Sequence, residues 1–158
     1  MTTERRIIEW AADRGILEHG TKTGQTLKLL SEVGELAYAV LNDNTPELLD
    51  AIGDVGVCVV IVAHMHGFEI EDLPRHHFRI SDLGKATLQL TFHGGLLADA
   101  VAKAQNNVTK AQLGTVWSFL NALAVYTEWS FGDVLHSAYE IIADRRGSMG
   151  PNGTWVKR

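Results

Sequence analysis

Two pairs of carboxylates stand at helical spacing in neighbouring stretches of the chain: Glu32 and Glu35 in SEVGEL, and Asp50 and Asp54 in DAIGD. On a helix, residues three apart lie about 60° apart around the axis and residues four apart about 40°, so each pair shares a face. If the two helices pack antiparallel, both pairs converge on one point. Four acids gathered there repel one another unless a cation lies among them. An all-oxygen donor set without nearby His or Cys favours Mg²⁺ or Mn²⁺ over Zn²⁺. The competing reading is a solvated acidic face that contributes only solubility and helix-dipole effects. Against it, Asp54 opens the most apolar stretch of the chain, VGVCVVIVA from Val55 to Ala63.

The elements that must position these acids are helices. Ile7, Ile8, Trp10 and Ala11 recur at helical spacing within about Thr3 to Leu17, and HGTKTGQ from His19 to Gln25 has the composition of a loop. A second period runs through Leu27, Leu30, Val33, Leu36, Val40 and Leu41. Thr45-Pro46 restarts the chain as an N-cap followed by Pro at the first helical position, and the next helix is expected from Pro46 to His66, stopping at Gly67. A short amphipathic segment follows over Ile70 to Leu83, with helices over Ala86 to Ala104, Val108 to Glu128 and Phe131 to Arg146. The remainder, GSMGPNGTWVKR, reads as an irregular tail. The expected class is all-α, in a single domain of 158 residues.

Lys+Arg 14 against Asp+Glu 19 gives a formal charge of −5, and neither a basic tract nor an Arg/Lys stripe interleaved with aromatics is expected to act along the chain. Nucleic acid is therefore not an expected partner, because non-specific affinity for it comes from neutralising phosphates. Cys58, the single cysteine, lies inside the apolar run and reads as a core residue in a reducing compartment. MTTERRIIEW has no apolar segment of signal-peptide length, and Val55 to Ala63 alone is too short to cross a bilayer. No membrane partner and a cytoplasmic location are expected.

The chain also resembles itself. Sliding it by 61 residues sets Thr26 to Pro74 on Thr87 to Leu135 without a gap, and about a quarter of the positions are identical, including Gly34/Gly95 and Gly53/Gly114. Two tandem helix pairs forming a four-helix bundle account for this; chance alignment of amphipathic helices is the alternative. The acids do not repeat: His93, Leu96, Ala111 and Thr115 stand where Glu32, Glu35, Asp50 and Asp54 stand in the first half. The first half then carries the chemistry and the second serves as scaffold.

EVGEL followed by DAIGDV on the next helix resembles the MazG-like all-α nucleoside triphosphate pyrophosphohydrolases, particularly small phage-type members. Trp10, Arg14 to Ile16, His19 to Thr21, Gln25 and Lys28 extend the resemblance upstream; Ala138 to Met149 and Asn152 to Lys157 extend it downstream. One departure is Ala51, where the family's second motif usually has Glu, so that Asp50 must act from one residue further back. The other is the extra segment from Ala86 to Trp129, which a degenerate second repeat explains, as in the two-copy dimeric dUTPases.

The resemblance implies cleavage of a nucleoside triphosphate to a monophosphate and pyrophosphate by metal-activated water. Glu32, Glu35 and Asp54 would be metal ligands, Asp50 a ligand or supporting acid, and Glu32 or Glu35 the general base. Lys28 would contact phosphate or else pair with Glu32, four residues on. Arg145, Arg146 and Lys157 would reach phosphate oxygens if the tail folds over the site, with Trp10, Trp155 and His19 as candidates for the base. A homodimer is expected, or a monomer if the tandem repeat replaces the partner. Two other readings stay open: a catalytically silent metal- or nucleotide-binding module, and a helical interaction protein.

Overall fold

Short polar side chains fix where the helices begin. In the computed structural model, which describes all 158 residues, Thr2 caps α1 (Thr3–Asp13) and Thr21 caps α3 (Lys22–Leu41). Asn44 caps α4 (Thr45–Met65), Asp82 caps α5 (Leu83–Ala102) and Ser130 caps α7 (Phe131–Ile142). Each accepts from a backbone N–H three residues on, satisfying a donor the helix cannot. A one-turn α2 (Ile16–His19) and the long α6 (Asn106–Tyr126) complete seven helices. Apart from a 3₁₀ turn at Ile70–Asp72, the other regular structure is a two-stranded antiparallel hairpin, β1 (Gly147–Met149) and β2 (Trp155–Lys157). The chain is all-α, as expected.

Four expectations need correction. The first helix ends at Asp13, because Gly15 turns left-handed (φ 70°) and α2 starts afresh. The expected loop from His19 to Gln25 is mostly helix, since Thr21 starts α3 at Lys22. Beyond Asp72, the segment to Leu83 is an extended strap rather than a helix; its Pro74 carbonyl lies against α6 at Gly114, where an added Cβ would be 2.4 Å from it. The tail is not irregular but forms the hairpin.

The two halves share one element plan. Leu83 follows Lys22 by 61 residues and Ala102 follows Leu41 by 61; Asn106 follows Thr45, and Tyr126 follows Met65, at the same interval. The turns match as well: Asp43 and Ala104 have φ of 50° and 53°, and Gly67 and Glu128 have 77° and 65°. Gly53 and Gly114 do the same job. Each lets the segment that follows the other helix pair cross closely: an added Cβ on Gly53 would lie 2.6 Å from the Ala138 Cβ on α7.

α3 packs on α4 and α5, and α6 packs on α5 and α4, so the four long helices close a ring. α1 and α7 lie against α4. This makes α4 the central helix, buried along its whole middle from Ala51 to Ala63 apart from Asp54. α4 is long and apolar enough to cross a membrane by length and composition, and its apolar window is 72% buried within the protein. One hydrophobic cluster joins Ile7, Leu29, Leu36, Ile52, Leu90, Leu97, Leu120 and Leu135. Each such side chain contributes roughly 1.5 to 3 kcal/mol on leaving water.

Candidate active site

α3 and α4 present their acids to a cavity of about 610 Å³ closed on its other sides by α1, the end of α7 and the hairpin. Glu32, Glu35, Asp50 and Asp54 all line it, with Lys28, Arg145 and Lys157 as cations and Trp10 and Trp155 among its aromatic and apolar walls. Glu35, Asp50 and Asp54 also border a second hollow of about 320 Å³, where Ser31, Gly34, Tyr38, Glu47 and Ala51 join them. The three acids therefore form a partition between two water-accessible spaces. Glu47 escaped the sequence reading. Its signal was present, since it lies three residues before Asp50 and so on the same face of α4.

The four acids differ in environment. Glu32 is buried, and Lys28 pairs with it across one turn of α3. Asp54 is partly buried; burial first, then the charges of Glu32 and Asp50, push its pKa up to about 7, against the pull of Arg145 and Lys28. Glu35 and Asp50 are exposed. Behind them Cys58 is buried, and burial drives its thiol pKa far upward, so it is neutral lining rather than a nucleophile.

Charge favours a cation here, since four carboxylates share one cavity and Glu32 and Asp50 add to burial in raising the Asp54 pKa. The side chains are not gathered as a finished cage: no three of the His, Cys, Asp and Glu groups stand close enough to hold a metal ion. Holding one requires side-chain rotation at the exposed Glu35 and Asp50 and release of Glu32 from Lys28.

The hairpin is held over the cleft by close backbone contact. The Gly153 carbonyl accepts from the Thr21 N–H and from Gln25 Nε2, each at 3.2 Å, and Thr154 Oγ1 donates to the Gly24 carbonyl at 3.1 Å. Gly24 has no room for a side chain, because a Cβ would lie 2.4 Å from the Asn152 carbonyl. The Gly24 and Gln25 positions of the first-half loop motif are therefore the seat of the tail. Trp155 meets Trp10 edge to face with centroids 5.5 Å apart, and neither indole N–H has a hydrogen-bond partner.

Arg14 fixes the other wall. Its guanidinium donates to the carbonyls of Ala143 and Arg145 at 2.9 and 3.0 Å, satisfying the exposed end of α7 where Arg145 turns to the cleft. Two expected contacts fail. Arg146 does not line the cavity; it is exposed, and its carbonyl accepts from the Arg158 N–H. His19 is exposed at the end of α2 beside Glu18, 3.6 Å away, outside the cavity, because the separate α2 turn carries it off the cleft. In the second half His93 Nδ1 lies 2.8 Å from Gln112 Oε1, and Thr115 Oγ1 donates back to the Ala111 carbonyl.

No protein-family model matches the chain, and no solved structure matches it. A protein of Haemophilus phage HP1, described as an uncharacterized 18.2 kDa protein in the rep-hol intergenic region, is 39% identical over 59 residues. That stretch is 37% of this chain and 36% of the phage protein, so the chain matches little more than a third of that relative's length.

Proposed function

We propose that the chain is a Mg²⁺-dependent nucleoside triphosphate pyrophosphohydrolase of MazG-like type, releasing a nucleoside monophosphate and pyrophosphate. One observation carries this reading. A single cavity unites four carboxylates from α3 and α4 with Lys28, Arg145 and Lys157, which arrive from three different parts of the chain. A triphosphate needs such a mixture, with acids to hold a divalent cation and basic groups to hold phosphate oxygens directly.

Glu32, Glu35, Asp50 and Asp54 are the residues that would hold Mg²⁺, or Mn²⁺, and Glu47 borders the same partition. When bound, the cation supplies neutralisation of phosphate charge and a water of lowered pKa. Arg145 and Lys157 bind and orient phosphate oxygens from the walls made by the end of α7 and the hairpin. Glu35, which like Asp50 and Asp54 borders both hollows, is the acid assigned to orient a water and take its proton, following the family resemblance. Trp10, Trp155, Val156 and Ile61 form the apolar wall against which the nucleoside lies.

The test is a panel of NTPs and dNTPs incubated with Mg²⁺, with products identified chromatographically. Monophosphate plus pyrophosphate is expected; diphosphate plus phosphate rejects the proposed bond. Ala51 favours a second reading, a silent binding module, because the Glu usual in that motif is missing. That reading predicts a rise in melting temperature with Mg²⁺ and nucleotide but no turnover of any panel member.

A further inference from the structure

Four basic side chains without a carboxylate or main-chain partner line two cavities of this acidic chain. Arg5, Arg6, Lys28 and Lys103 face carboxylates, and Arg14 and Arg75 donate to main-chain carbonyls. Arg145 and Lys157 line the cleft described above. Arg79 and Lys85 line another cavity, of about 180 Å³, where the strap meets the start of α5 and Phe119 of α6. The sequence reading found no basic stripe interleaved with aromatics and so missed this strap, RHHFR from Arg75 to Arg79.

By position this cavity is the counterpart of the cleft. Ala86, Gln89 and Phe119 on its wall each follow Gln25, Lys28 and Cys58 of the cleft by 61 residues. Its chemistry has changed. The four carboxylates of the cleft have no acidic counterpart in the second half, where His93, Leu96, Ala111 and Thr115 stand at their positions outside this cavity. Instead, Phe78 stacks on Phe119 with centroids 4.1 Å apart and planes at 16°, and remains 37% exposed. Asp82, the acid on this wall, is engaged in capping α5 through the Lys85 N–H at 2.8 Å. Guanidinium and ammonium groups bind phosphate oxygens, and an exposed ring offers surface to a planar ligand.

We propose that this cavity binds a nucleoside monophosphate without metal, its phosphate on Arg79 and Lys85 and its ring against the exposed part of Phe78. The nucleoside identity rests on the function proposed above; the cations and the ring do not. A mononucleotide is favoured over a nucleic-acid strand, because a strand uses successive aromatic platforms along a basic groove and this cavity offers one. The site would sense the monophosphate that the cleft releases.

The test is calorimetric titration of AMP and UMP into the full chain in EDTA, with inorganic phosphate and a ten-residue oligothymidylate as comparison probes. Binding of a monophosphate is expected, weakened roughly tenfold or more by Arg79→Glu and by Phe78→Ala, and unchanged by Arg145→Glu. Arg79→Glu alters an exposed side chain, so a preserved melting temperature separates lost binding from lost fold. Absence of monophosphate binding in EDTA, loss through Arg145→Glu instead, or tighter binding of the oligonucleotide each overturns the proposal. Pyrophosphate release at the cleft is measured separately, so either idea can fail alone.

Discussion

Lys28 holds Glu32 across one turn of α3, and Glu32 is the more buried partner, its side chain 7% exposed against 38% for Lys28. Burial, the largest influence on Lys28, lowers its pKa, but the hydrogen bond and charge of Glu32 outweigh it and the net direction is upward. The ammonium thus serves as counter-ion to the innermost carboxylate of the cleft. Lys28→Met leaves that carboxylate buried and unpaired, and should lower metal-free stability by roughly 1 to 3 kcal/mol. Mg²⁺ should then raise the melting temperature more in the variant than in the native protein; an equal or smaller rise contradicts the shared role.

Asp54 makes stability depend on pH. Its carboxyl keeps a proton up to about pH 7 when folded, whereas a free aspartate loses it near 3.8. Between these values the folded state binds more protons, so this contribution is present at low pH and is lost as pH rises through 7. Each pKa unit corresponds to about 1.4 kcal/mol, which makes the total on the order of 4 kcal/mol. Urea titrations without metal should show Asp54→Asn more stable than the native protein at pH 8, with the advantage shrinking toward pH 4. Parallel curves would contradict this assignment.

Gly24→Ala tests the seat of the hairpin. The new Cβ would meet the Asn152 and Gly153 carbonyls at 2.4 and 2.6 Å, so the hairpin must lift. Lifting it withdraws Lys157 and Trp155 from the cleft while leaving all four acids in place. KM for the triphosphate should rise several-fold, roughly the loss of one charge-assisted contact, with a smaller change in kcat. A fall in kcat with unchanged KM counts against the tail as a substrate contact.

Glycines of α3 and α4 should respond oppositely to alanine. Gly53 lies under α7, where an added Cβ would be 2.6 Å from the Ala138 Cβ, and Gly53→Ala should cost about 1 to 3 kcal/mol. Gly34 has nothing within 4 Å of an added Cβ, so Gly34→Ala should stabilise by roughly 0.5 to 1 kcal/mol. Thermal melts of the two variants check both signs.

What the sequence makes legible is whatever local spacing encodes. Apolar periodicity located the long helices to within a few residues, and the three- and four-residue spacing put each pair of acids on one helix face; that both pairs line one cavity, without closing into a metal cage, needed the packing of α3 on α4. The 61-residue offset was also visible, down to Gly53 and Gly114, although their shared purpose as crossing points needed coordinates. Long-range pairing was not legible. Three-residue strands carry no periodicity, and the hairpin depends on Gly24 and Gly153 meeting across 129 positions, from 24 to 153. The Arg14 contacts to carbonyls just past α7 bridge a similar span, and the strap lacks helix where Pro74 is pressed against Gly114. Spacing also left the partner of Lys28 open; burial of Glu32 decided it in this structure.

The most direct measurement is pyrophosphate release from a nucleoside triphosphate panel by the native protein and Glu35→Gln, each with Mg²⁺ and with EDTA. The account predicts Mg²⁺-dependent release by the native protein, lost in EDTA and reduced about a hundredfold or more in Glu35→Gln at unchanged melting temperature. Turnover that survives EDTA, or a Glu35→Gln variant as active as the native protein, would contradict it.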